Sequence, residues 1–274
     1  MDKTDLLTAE WKDSDWRKRK AAVEKITDEA ILKEIALTDS AWYVSDAAFR
    51  KITDQEFLKD VAMTNSNNRN RKFALRYVTD EAFLKEIVLN DSDGEVRAAA
   101  VRNITDKAFL KKLALNDDTS NVREAAVVKI TDEAFLKKIA LKDKNEQVRK
   151  MAVYRITDET FLKELAVKDE DIRAEAIHNI TDQAFLKEFA LKDEALGVRL
   201  EAVKLITDEN VLEEVALNDP EGWVREEALT NIYDKAFLKE VALNDPESSV
   251  RAAAVERLKE LGTDDLQLTL RLKT

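Results

Sequence analysis

Cysteine is absent from the 274 residues, which excludes disulfides, thiolate catalysis and cysteine-ligated zinc. Histidine occurs once, at His178, so no histidine pair exists to hold a metal. With four glycines and two prolines, little remains for a phosphate-cradling loop. No P-loop, GxGxxG, HExxH or EF-hand pattern is present. No run of about 18 apolar residues occurs, nor the basic start and apolar core of a signal peptide, so a soluble cytoplasmic protein is expected, without membrane contact. The formal net charge of −11 weighs against generic attraction to nucleic acid or an anionic membrane. Carboxylates are plentiful, yet they recur with a fixed period, as capping and solvated residues do. No catalytic residue, cofactor or metal is predicted, and the chain is read as a non-enzyme.

What the sequence does contain is one pattern, repeated. Thr105–Ile130, TDKAFLKKLALNDDTSNVREAAVVKI, returns as TDEAFLKKIALKDKNEQVRKMAVYRI at 131–156. The opening Thr-Asp pair falls at 27, 53, 79, 105, 131, 157, 181 and 207, and Tyr233-Asp234 continues the series. The spacing is 26 residues with one copy of 24. A period of this length marks a stack of supersecondary units, each burying its apolar face against its neighbours.

In the copy at 105–130, Thr105 reads as the N-cap and Asp106 as negative charge at the positive helix end. Phe109, Leu110, Leu113 and Ala114 then form one helical face. Leu115 lies nearly opposite and is expected to tuck in from the turn. A second helix starts near Val122, with Val122, Ala126, Val127 and Ile130 on its apolar stripe. Each unit is therefore a helical hairpin, with about eight or nine residues per helix.

Arg123 projects into that stripe, where a charge is costly unless paired. An aspartate six residues earlier supplies the partner: Asp13/Arg19, Asp91/Arg97, Asp117/Arg123, Asp143/Arg149, Asp193/Arg199, Asp219/Arg225 and Asp245/Arg251. The expected arrangement is a ladder in which each Arg meets the Asp of its own or the next repeat. Binding of an anionic ligand by these arginines is the alternative, and the aspartates would neutralise it.

Ala242–Gly262, ALNDPESSVRAAAVERLKELG, resembles the second half of a HEAT repeat, including the Asp and Arg six apart. The short period and the VRxxAV pattern also resemble leucine-rich-variant repeats. The resemblance spans nearly the whole chain. It implies an all-α fold, a right-handed α-solenoid of about ten short hairpins. As organisation it implies one HEAT-like array over 1–274: an N-terminal capping repeat at 1–26, regular repeats at 27–258, and a cap or tail at 259–274. It also implies a binding scaffold rather than an enzyme.

Departures from the pattern lie at both ends and in the second and third units. Met1–Trp11 reads as a degenerate first helix, with Trp11 and Trp16 placed to cover the end of the core. Ser45 stands where other repeats have Arg, and Asn70 replaces a leading valine. The unit at 157–180 lacks two loop residues and contains His178, read as a surface residue. After Thr263-Asp264, Leu266, Leu268, Leu270 and Leu272 alternate with polar residues, so both an end-cap helix and an extended tail fit.

In HEAT-type arrays the second helices line the concave side. The positions most nearly opposite their apolar stripe are Glu24, Arg50, Arg76, Arg102, Val128, Tyr154, His178, Lys204, Thr230 and Glu256. Varied residues on a constant frame suit a binding surface. The predicted binding residues are Tyr43, Arg50, Phe73, Arg76, Arg102, Tyr154 and Trp223, with Arg69 and Lys72 adding charge. The face is expected to run from basic toward acidic residues at Glu175, Glu201, Glu226 and Glu227. The expected partner is a protein, through an acidic segment, bound by a monomer. Two alternatives remain. One is a nucleic-acid-binding protein like the HEAT-like DNA glycosylases. The other is an engineered array without a natural partner, against which the irregular copies argue.

Overall fold

The computed structural model describes residues 11–263, and these form 19 α-helices with no strand among them. The readings for Met1–Glu10 and for 264–274 lie outside the described residues. The helices gather into two compact units, Met1–Asp132 and Glu133–Thr274. In each unit the helices alternate as first and second members of hairpins. The first unit runs from Trp16–Lys25 to Ser120–Val127, and the second from Glu133–Lys142 to Ser248–Glu260.

First helices are ten residues long, as in Lys107–Asn116. Their N-cap is the aspartate and not the threonine before it. Asp106 accepts from the N–H groups of Ala108 and Phe109, satisfying two donors that a helix start otherwise leaves orphaned. The Thr105 hydroxyl instead donates to Glu81 of the preceding repeat, at 2.6 Å. Leu110, Leu113 and Ala114 face the core. Leu115 does not tuck in; it is 42% exposed. The same register position is exposed at Leu37, Met63 and Leu89 in the first unit, and at Leu141, Val167, Leu217 and Leu243 in the second. A leucine 100° beyond the buried face of a ten-residue helix has no neighbour to meet.

Second helices bury Val122, Ala126 and Val127, or their equivalents. Within each unit, second helices pack on their own first helices and on neighbouring second helices, whereas first helices meet each other more sparsely. The second helices are thus the crowded side of each unit. The unit at 157–180 shows the effect of its deletion, because its second helix shrinks to Arg173–Ile177.

Polar contacts at fixed offsets join successive repeats. The arginine ladder is present, and its side-chain partner is the aspartate of the next repeat. Arg19 grips Asp39 with two bonds of 2.7 and 2.9 Å. Arg199 grips Asp219 and Arg225 grips Asp245 in the same way. The Asp six residues earlier contributes its backbone carbonyl, as Asp193 does to Arg199 at 3.0 Å. Arg123 is buried and donates to the carbonyls of Asp117 and Asp118. In the shortened repeat, Arg173 takes the rung by bonding Asp193 at 2.7 Å.

The missing rung is neutral on both sides. Ser45 replaces the arginine, and Asn65 stands where its aspartate partner would be. Asn65 still accepts from the Asn67 N–H and so keeps the loop turn. No buried charge is left unpaired there.

A second row of ion pairs ties several first helices to the next. Lys33 reaches Asp54, Lys59 reaches Asp80 and Lys85 reaches Asp106, at 2.6–2.9 Å. These lysines, with the capped N–H groups, hold the aspartates below the usual carboxylate range. Glu29 likewise accepts from the N–H groups of Thr53 and Asp54.

Candidate binding site

A second helix in this array buries one stripe and presents residues at i, i+3 and i+7 on the other side, with i+4 at the edge of the buried stripe. In the first unit these sets are Tyr43, Asp46, Ala47 and Arg50; then Arg69, Lys72, Phe73 and Arg76. Glu95, Ala98, Ala99 and Arg102 follow, and then Asn121, Glu124, Ala125 and Val128. The ten variable positions predicted from the sequence, Glu24 to Glu256, are all exposed.

The middle sets form a hollow of about 360 Å³, walled by Trp42 and Lys72, floored by Phe73, Ala98 and Ala99, and rimmed by Arg69, Arg76 and Arg102. Room is left because Ala98 occupies the register position that carries Lys72 and Glu124 in the flanking repeats. A larger hollow of about 550 Å³ adjoins it, sharing Glu95, Ala98 and Arg102 and continuing to Glu124, Val128 and Lys129.

The electrostatics of this hollow are uneven. Arg76 is paired with Asp46 at 2.8 Å and lies over the Phe73 ring at 5.1 Å. Lys72 approaches Glu95 at 3.8 Å, and Glu95 also accepts from Asn121. Arg69 and Arg102 are exposed, and neither guanidinium has an ion-pair or hydrogen-bond partner among the described residues. Elsewhere the arginines are mostly consumed by the ladder or by neighbouring carboxylates.

Aromatic rings continue the site toward the start of the unit. Trp42 stacks on Tyr43 at 3.7 Å, and Tyr43 on Trp16 at 4.9 Å. Trp42 and Phe73 lie 6.5 Å apart. Trp42 and Tyr43 are 44% and 42% exposed, which leaves an apolar shelf beside the cations.

The predicted residues divide accordingly. Arg76, Arg102 and Phe73 come together, and Tyr43 adjoins them through Trp42. Phe73 is buried, 6% exposed, and serves as floor instead of exposed anchor, because the ring turns inward against Phe49. Arg50 does not line the hollow and is occupied by Glu24 at 2.5 Å. Trp16 lies on this face through its stack on Tyr43. Trp42 was not among the predicted residues. Its signal was available, since a tryptophan stands there, as Trp16 does one repeat earlier, where the following repeats carry Asn68, Gly94, Ser120 and Glu146.

In the second unit the corresponding face carries Tyr154 and Trp223, 56% and 72% exposed. Of the carboxylates predicted there, Glu175 and Glu201 are engaged in ion pairs. Lys150 bridges Glu146 and Glu175. His178, at the surface as expected, meets Glu201 at 2.6 Å and stacks on Tyr154 at 5.1 Å. Among the described residues no group of His, Asp and Glu could hold a metal, and no helix is long and apolar enough to cross a membrane.

Comparison with known proteins supports the fold. A solved structure described as a leucine-rich repeat variant with a novel repetitive structural motif matches with a TM-score of 0.51 at 22% identity, covering 81% of this chain and 88% of that one. The Escherichia coli protein YibA matches with a TM-score of 0.45 at 19% identity, covering 90% of this chain and 98% of that one. No protein-family model and no curated protein matches the chain. The chain is therefore an α-helical repeat array similar in fold to the leucine-rich repeat variant.

Proposed function

We propose that this chain is a non-enzymatic protein-interaction scaffold, cytoplasmic and monomeric, whose first-unit hollow takes an anionic segment of a protein partner. The observation that carries this reading is the pair of exposed, unpartnered guanidiniums at Arg69 and Arg102. They flank one hollow beside an exposed tryptophan. Arg and aromatic residues in a partly desolvated hollow are the usual anchors of an interface. A charged hollow also speeds and orients the encounter with an oppositely charged segment. Neither arginine is needed for the fold, since no internal partner depends on it.

The test is anisotropy of labelled, degenerate Asp/Glu-rich peptides with the whole chain. Arg69→Glu/Arg102→Glu should weaken binding at least tenfold and leave the thermal midpoint within about 2 °C. Full retention of binding by the folded variant would remove this site. The same assay with oligo-dT addresses nucleic acid, for which stacked aromatics beside cations are also suited. Tighter binding of oligo-dT than of every peptide pool would favour that reading instead.

A further inference from the structure

We infer that the hollow between Trp42 and Arg102 receives a phosphorylated residue of the partner segment. This rests on the reading that the face binds protein, and it names the group that is bound. Three observations lead to it.

The first is charge density. Arg69, Lys72, Arg76 and Arg102 line a single hollow of about 360 Å³, with Glu95 the carboxylate in its lining. Asp46 and Glu95 offset two of these charges at 2.8 and 3.8 Å, and two guanidiniums remain. A carboxylate brings one charge and two oxygens. A phosphate monoester brings nearly two charges and three strong acceptors, matched to guanidinium forks.

The second is confinement. Beyond Arg102 the face turns to Glu95, Asn121, Glu124 and Val128, and the one cation there, Lys129, is tied to the Arg102 carbonyl. Before the hollow, Arg50 is taken by Glu24. The free positive charge is a spot and not a track. A nucleic-acid strand bears charge at every nucleotide and would run from this spot onto carboxylates. A peptide with one dianionic residue and uncharged neighbours would not.

The third is shape. Ala98 opens the hollow where its register equivalents Lys72 and Glu124 would close it. Phe73 and Trp42 give the bound side chain an apolar floor and wall. Arg76 is fixed over Phe73 by Asp46, so one donor is oriented before any ligand arrives.

The experiment uses the full chain on a support and three degenerate peptide libraries identical except at the central residue. That residue is phosphoserine, phosphotyrosine or glutamate, and retained peptide is counted. At least one phosphorylated library should be retained tenfold or more above the glutamate library. Arg69→Ala/Arg102→Ala should abolish the gain, as should Ala98→Glu, which fills the hollow with a helix-compatible carboxylate. Both variants should keep the wild-type urea midpoint.

Equal retention of the glutamate and phosphorylated libraries would overturn the phosphate inference while leaving the anionic-segment reading intact. Retention of none of the three would overturn both. Phosphopeptide gain that persists in the folded variants would place the phosphate elsewhere and overturn the assignment. Stronger, Arg69/Arg102-dependent retention of oligo-dT would overturn it in favour of nucleic acid.

Discussion

The rung between Arg199 and Asp219 offers a quantitative test of how the repeats are held together. The two side chains are 8% and 4% exposed and meet through bonds of 2.7 and 3.1 Å. Asp219 holds the guanidinium in its charged form. Arg199 also donates to the carbonyls of Asp193 and Glu194. Arg199→Ser strands a buried carboxylate and two carbonyls. Breaking one side of a buried pair costs roughly 3–5 kcal/mol. A hollow of about 420 Å³ borders the rung, so solvent relieves part of the penalty and the low end, about 3 kcal/mol, is expected. The chain already contains the compensated alternative in Ser45 and Asn65. Adding Asp219→Asn to Arg199→Ser copies that neutral rung and should restore about 1–2 kcal/mol of the loss. Urea melts of the wild type, both single variants and the double variant form the cycle. A loss below about 1 kcal/mol for Arg199→Ser, or a double variant equal to the sum of its singles, would refute the reasoning.

Three further outcomes follow from the same frame. Glu213 stands where other first helices carry the lysine that binds the next cap; burial and the carboxylates of Asp234 and Glu209 push it up. Glu213→Lys should therefore raise stability by about 0.5–1 kcal/mol in the same melts, and a lowered midpoint would contradict it. The cap aspartates Asp54, Asp80, Asp106, Asp158 and Asp182 are held low by lysine and backbone hydrogen bonds. Their contribution is thus complete above the unfolded value of about 3.9 and is lost as pH falls through the folded value. The urea midpoint should stay level from pH 8 to 5 and drop below about pH 4; constancy down to pH 2.5 would refute this. Asp106→Ala should lower the urea midpoint more than Thr105→Ala does, and the reverse order would return the cap to the threonine.

The fold was legible because the 26-residue period fixes the register, and register fixes which side each residue faces. The exposure of the ten variable positions and the burial of Val122, Arg123, Ala126 and Val127 follow from it. Side-chain destinations one turn away were less legible. Threonine and aspartate both cap helices, and only the chain's path past Glu81 decides between Thr105 and Asp106. Leu115 looked apolar enough to bury, yet no partner lies over it. At the site, the cation series was visible in the spacing of Arg76 and Arg102. Phe73 pointed inward because its backbone position is shared with Ala99 and Ala125, which face a neighbouring helix. The hollow depends on the smallness of Ala98, and on Glu24 and Asp46 engaging Arg50 and Arg76 while Arg69 and Arg102 stay free. Those are relations between repeats that one repeat cannot show.

The claim that the first unit's second-helix face is the binding surface is tested most directly by photo-crosslinking. A benzoylphenylalanine placed at Trp42 should form adducts with bound anionic peptides, whether phosphorylated or Asp/Glu-rich. The same group at Leu141, an exposed first-helix position, should form none, and excess unlabelled peptide should compete the Trp42 adduct away. Adducts at Leu141 with none at Trp42, from peptides shown to bind, would contradict the account.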